Sequence, residues 1–199
     1  MSRICTGYAG CAAMGYSDFG YGAASAISYW GMYPGHNCTN YAAFRLIKNG
    51  VDASYLRGQG DAYQWGGVAR SHGVAVDGTP RVGDIAWWDS NAGLGVNGHV
   101  AYVEQVGNGF VVVSQDAIGG NFSWVKYSPA GGLYPTRFIH FGGARDLVFI
   151  KTKNTGSRRV EVHTANASSG YRGSDLHAAS WFGTGDQGNG WFQILGAKS

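Results

Sequence analysis

Two segments of helical spacing, then a run of alternating apolar strands, then a helix-free tail predict an α+β domain with a small all-β appendage. Helices grouped ahead of antiparallel strands do not build the alternating units of a parallel sheet. Composition shifts at Gly142-Gly143, which sets the main domain at 1–141 and the appendage at 146–199. In a chain of 199 residues the first part is of ordinary domain size, and the second is short for an independent domain.

Residues 1–23 read as irregular, rich in Gly, Ala and Tyr, with a short helical piece near Ala23–Trp30. The first full helix is predicted over Thr39–Lys48. Ala42, Ala43, Leu46 and Ile47 form its inner face, Asn37 caps its start and Asn49-Gly50 stops it. A second helix runs from an Asp61 cap to His72, weakened by Gly66-Gly67. The turn Thr79–Gly83 leads into a strand at Asp84–Trp88. A glycine loop over 91–98 precedes a strand at His99–Val106, which the Asn108-Gly109 turn returns as Phe110–Gln115. Trp124–Tyr127 and Thr136–Phe141 are further strands. In the tail, Asp146–Lys151 and Arg159–His163 pair around an Asn154-Thr-Gly156 turn, and Gly190–Ile194 is a third strand.

The 34 glycines, 14% aromatic and 14% charged residues describe a turn-rich chain with large rings to bury, not a disordered one. A net charge of +3 fits a soluble surface and is compatible with an acidic polymer such as cell wall. There is no basic helix, zinc spacing or RNP-like strand, so nucleic acid is not expected as a partner. No stretch is long and apolar enough to span a bilayer. Met1-Ser-Arg leads into polar, glycine-rich sequence and not into the apolar core of a signal peptide, so a leader is expected to have been removed if the chain is exported. Cys5 and Cys11 stand close together and Cys38 apart. In an oxidising compartment the pair fits one small disulfide loop beside one working thiol; in a reducing cytosol the pair stays reduced.

Cys38 follows Tyr33-Pro-Gly-His-Asn and opens the Thr39–Lys48 helix. The positive end of a helix favours a thiolate, the form that acts as nucleophile. A lone cysteine is more often structural, so a partner must be found. His99 follows the glycine loop and begins a strand. A two-residue type I′ turn at Asn108-Gly109 pairs Gly107 with Phe110, so that Ala101 faces Asp116 and Val103 faces Ser114. Side chains alternate along a strand, so Asp116, with Ser114 nearby, falls on the face of His99 and can hold its imidazole. A slip of one residue brings Gln115 there instead. Glu104 has the wrong parity. His36 reads as a solvent-facing turn residue, although it could pair with the thiol. Trp65 and one of Trp87 and Trp88 are candidates for a cleft wall, and Asn40 and Tyr41 for shaping an oxyanion site.

Three blocks, Gly35–Tyr41, Gly78–Ala86 and Gly98–Val103, together resemble the CHAP domain family of cysteine, histidine-dependent amidohydrolases and peptidases. The resemblance covers roughly 1–141 and includes the paired cysteines of secreted members. It implies a papain-like (NlpC/P60-type) α+β fold with N-terminal helices and an antiparallel sheet, cleavage of amide bonds in peptidoglycan, Cys38 as nucleophile and His99 as base. Members often carry Glu-x-Asn after the histidine strand, where this chain reads Ser114-Gln-Asp116. The acidic calcium loop of some phage members is missing before Cys38, so no metal or other cofactor is expected. The tail looks like one blade-like propeller repeat, or a hairpin appendage packed on the catalytic domain. Trp181, Phe182, Trp191 and Phe192 would supply wall contacts or core. Besides a secreted peptidoglycan hydrolase, the sequence admits a non-catalytic wall-binding module or an interbacterial toxin of the same chemistry.

Overall fold

A computed structural model of the chain describes residues 1–117, 119–142, 146–153, 159–165, 177–183 and 190–198. The chain divides into two compact units, Met1–Gly142 and Gly143–Ser199. The first unit runs β1 (Ser2–Thr6), α1 (Tyr8–Ala13), α2 (Tyr21–Ala24), α3 (Cys38–Lys48), α4 (Trp65–Ser71), β2 (Val76–Asp77), β3 (Ile85–Trp88), β4 (His99–Gly107), β5 (Phe110–Gln115), β6 (Ser123–Tyr127) and β7 (Arg137–Ile139). The strands form one antiparallel sheet in the order β1-β6-β5-β4-β3-β7-β2. This is the α+β architecture that the sequence predicts.

Helix α3 lies against β4 and β5. It starts at Cys38 because Asn37 is extended and its Oδ1 accepts the Asn40 N–H at 2.9 Å, satisfying an otherwise orphaned donor. Tyr41, Ala42 and Leu46 are fully buried on its inner face, in a cluster shared with Val100 and Tyr102. The opposite face of the sheet holds a second cluster, with Trp88, Ala101, Val103, Val113 and Val125.

Three local expectations change. The region read as irregular contains β1 and α1, joined by a Cys5–Cys11 disulfide. A strand that gains its partner only from β6, more than a hundred residues away, leaves little local signal. The second helix is a 3-10 turn at Ala62–Gln64 followed by α4, and Asp61 makes no side-chain cap. The hairpin turn pairs Gly107 with Phe110 as expected, but only Gly109 has positive φ, at 73°, so it is not type I′.

The main departure lies farther along that hairpin. Gly107, Val106 and Gln105 pair with Phe110, Val111 and Val112, after which the register shifts and Val103 pairs with Val113. Glu104 is the extra residue of a β-bulge. The apolar pattern explains it. A regular ladder would turn Gln105 toward the second core and Val106 away from it. With one residue bulged, Val103 and Val106 both reach that core. Glu104 meets Arg45 of α3, which is almost fully buried and also donates to Ser114 Oγ at 2.9 Å and Tyr41 Oη at 3.1 Å. Ser114 Oγ donates to Glu104 Oε1 at 2.5 Å and accepts from Tyr41 at 2.7 Å.

In the second unit β8 (Asp146–Lys153), β9 (Arg159–Ala165), β10 (His177–Gly183) and β11 (Gly190–Lys198) form an antiparallel sheet in the order β10-β9-β8-β11. The last strand returns beside the first, which is the Greek-key order and not the consecutive order expected of a propeller blade. Strand β10 is additional to the three read from the sequence. The Asn154-Thr-Gly156 turn lies outside the described residues.

Removing one partner of a buried ion pair strands the other charge. Arg45→Met should therefore lower unfolding stability by about 3 kcal/mol, read by urea denaturation. Arg45→Met combined with Glu104→Gln should recover part of that loss.

Candidate active site

Cys38 is the first residue of α3, where the free N–H groups of the helix end gather. It is a free, partly accessible cysteine on the floor of a cleft of about 810 Å³. Tyr33, Pro34, His36 and the glycine loop at Leu94–Gly98 line the same cleft. His99 opens β4 across the floor. Its place depends on Gly98, whose φ of 68° and crowding exclude a side chain: a Cβ there would stand 2.5 Å from the Trp88 carbonyl oxygen and 2.9 Å from the Tyr63 nitrogen. The Trp88 ring backs the imidazole at 5.3 Å.

The thiol and the imidazole line one cleft and act on each other by charge and hydrogen bonding. Burial alone would push the Cys38 thiol up. The His99 charge and hydrogen bond outweigh it, helped by the N–H groups of Val100 and Cys38, and hold the thiol below its ordinary value. Burial alone would likewise push His99 down, and its charge and hydrogen-bond interactions with Cys38, followed by the bond from Gln115, hold it above its ordinary value. Both shifts favour a thiolate beside an imidazolium. His99 Nε2 lies 3.0 Å from Gln115 Oε1, so Nε2–H donates to the amide and Nδ1 serves the thiol. Gln115 is itself held by Ser123 Oγ at 3.4 Å.

The bulge decides which residue reaches the imidazole. Ser114 pairs with Tyr102, on the α3 side of the sheet, and belongs to the Arg45–Glu104 network. Asp116 is also displaced from His99. It is fully buried, and its Oδ2 accepts from Tyr8 Oη at 2.8 Å and lies 2.9 Å from His36 Nδ1. The expectation that Asp116 or Ser114 holds His99 is therefore corrected: Gln115 does, as a one-residue slip would bring about. The available signal was the spacing of Val103 and Val106 around Glu104-Gln105, which breaks the period of two.

Other sequence expectations shift with the packing. His36 does not simply face solvent; it is bound to Asp116 and lines the cleft. Trp65, Trp87 and Trp88 are core residues, and the indole N–H groups donate to the carbonyls of Gln59, Ala62 and Leu133 at 3.0, 2.9 and 2.9 Å. Asn40 anchors the preceding segment: its Oδ1 accepts from the Tyr29 N–H at 2.9 Å and its Nδ2 donates to the Ile27 carbonyl at 2.9 Å. Tyr41 is buried in the Arg45 network, so neither residue is spent on an oxyanion. Asp84, from the second of the three sequence blocks, bonds His140 Nδ1 at 2.9 Å and accepts the Arg81 N–H at 2.6 Å, a structural role. Among the described residues no group of three or more His, Cys, Asp or Glu is arranged to hold a metal ion.

Residues 27–117 match the model of the CHAP domain family. Over 120 residues the chain is 32% identical to the staphylococcal secretory antigen SsaA of Staphylococcus aureus, covering 60% of this chain and 40% of that protein. It is 32% identical over 122 residues to the N-acetylmuramoyl-L-alanine amidase sle1 of Staphylococcus haemolyticus, covering 61% of this chain and 31% of that one. The chain thus spans less than half the length of these relatives. A crystal structure of an N-acetylmuramoyl-L-alanine amidase from Staphylococcus aureus is similar at 26% identity and a TM-score of 0.45, over 54% of this chain and 30% of the other.

The thiolate-favouring shift depends on His99, and burial acts against it. Alkylation of Cys38 by iodoacetamide should accordingly persist below the usual thiol range, and His99→Gln should move the rate profile to higher pH. Mass spectrometry of the labelled peptide reads both.

Proposed function

We propose that this protein hydrolyses amide bonds of peptidoglycan with Cys38 as nucleophile and His99 as base. The observation that carries the reading is that Cys38 and His99 line one cleft, with the thiol lowered and the imidazole raised by each other. Burial would drive a structural thiol the other way. The CHAP domain match and the amidase among the relatives supply the substrate class.

His99 Nδ1 takes the thiol proton and the thiolate attacks the amide carbonyl. The oxyanion that forms lies at the N-terminus of α3, where backbone N–H groups are free to receive it. As the tetrahedral intermediate collapses, the C–N bond breaks and His99 returns the proton to the departing amine. Water, deprotonated by the same imidazole, then attacks the thioester and releases the acid and the thiol. Gln115 keeps the ring oriented through both halves. It does so without charge, so the imidazolium is stabilised chiefly by the thiolate.

A secreted or extracellular location follows from the same reading. The Cys5–Cys11 disulfide needs an oxidising compartment, and one relative is named a secretory antigen. Among the described residues no helix is long and apolar enough to cross a membrane.

Turbidity loss of purified cell walls and released-amine assays test the proposal. Cys38→Ala should abolish activity, His99→Ala should lower kcat by about 10²–10⁴, and Gln115→Ala should reduce kcat more than it raises KM. Full activity of Cys38→Ala would sink the mechanism and leave a wall-binding module. Mass spectrometry of the digest identifies the bond cut.

A further inference from the structure

His36 stands two residues before the nucleophile and lines the same cleft, yet the hydrolytic steps do not use it. It is held in place by an assembly of its own. Its Nδ1 lies 2.9 Å from Asp116 Oδ2, and Tyr8 Oη donates to that same oxygen at 2.8 Å. The Ala117 N–H donates to Asp116 Oδ1 at 2.9 Å. The Tyr8 ring packs against the imidazole at 5.3 Å, and Tyr21 meets it edge-on at 6.3 Å. The Asp116 side chain is 0% exposed and that of His36 34%. A buried carboxylate carries a desolvation cost that its three donors offset. The result is a histidine fixed on its Nδ1 side, with its ring lining the cleft.

That tautomer sets the chemistry. With Nδ1 turned to Asp116, Nε2 is the ring nitrogen left to meet a ligand, and in the Nδ1–H tautomer it is a hydrogen-bond acceptor. The cleft thus has two imidazoles with divided tasks. His99 acts on the thiol, and His36 is turned to Asp116. We propose that His36 is a substrate-binding residue: its Nε2 accepts a hydrogen bond from a peptide N–H flanking the scissile amide, and Asp116 and Tyr8 position the ring. A peptide substrate offers such an N–H one residue from the carbonyl that Cys38 attacks. This inference rests on the peptide-hydrolase reading of the cleft.

The test uses soluble muropeptides with an intact peptide stem. Their Kd is measured by calorimetry in a Cys38→Ala background and their kcat/KM in the active protein, with iodoacetamide labelling of Cys38 as a control on the nucleophile. His36→Phe keeps the ring contacts and removes Nε2. It should raise Kd and KM by about threefold to tenfold, the effect of one hydrogen bond, while Cys38 alkylation is unchanged. His36→Gln, which retains an acceptor, should recover part of the affinity, and Asp116→Asn should fall between. Equal Kd values across the His36 variants overturn the inference, and so does a matching loss of alkylation, which marks a purely structural role. Binding without cleavage by the unsubstituted protein sinks the hydrolytic reading alone. Absence of both overturns the two together.

Discussion

The buried Arg45–Glu104 pair joins α3 to β4 at the place where that strand carries an extra residue. Arg45 reaches from the helix that presents Cys38, and Glu104 comes from the strand that presents His99. Tyr41 and Ser114 complete the network, so helix, β4 and β5 are held by one set of hydrogen bonds. Loss of one partner would leave a buried charge uncompensated, so the contact ties the helix to both strands. The bulge it adjoins fixes the parity of β5 beyond Val113. Ser114 and Asp116 turn away from His99, and Gln115 turns toward it.

The electrostatics of the cleft follow from that parity. His99 receives a neutral amide, while the buried carboxylate of Asp116 is committed to His36 and Tyr8. A carboxylate on His99 would compete with the thiolate as the partner of the imidazolium. With Gln115 there, Cys38 and His99 are each other's main charge partners, and the two shifts are reciprocal. The helix end adds its N–H groups on the sulfur side. Gly98 allows the approach, because a side chain there would collide with the backbone of Trp88 and Tyr63.

Much of the fold is legible because its signals are local. Asn37 caps α3 with its own side chain, the apolar face of α3 repeats at helical spacing, and Gly109 supplies the positive φ of the hairpin turn. The pairing of Gly107 with Phe110 follows from that turn alone. Strand β1 is less legible, since its reason for being extended is β6. The tail shows the same limit: three of its strands are readable, whereas β10 and the Greek-key order depend on pairing among distant segments.

By itself the sequence determined two placements: a cysteine at a capped helix start and a histidine opening a strand after a glycine. Both are set by residues within a few positions of them. Only the tertiary structure decided which neighbour holds the histidine. Strand alternation carries a choice made near the turn unchanged along the ladder until a bulge resets it. Whether a bulge forms depends on what lies across both faces of the sheet. Here the second core takes Val106 in place of Gln105, and Arg45 waits for Glu104 on the other side. That three-dimensional preference moved Asp116 to His36 and left Gln115 beside His99.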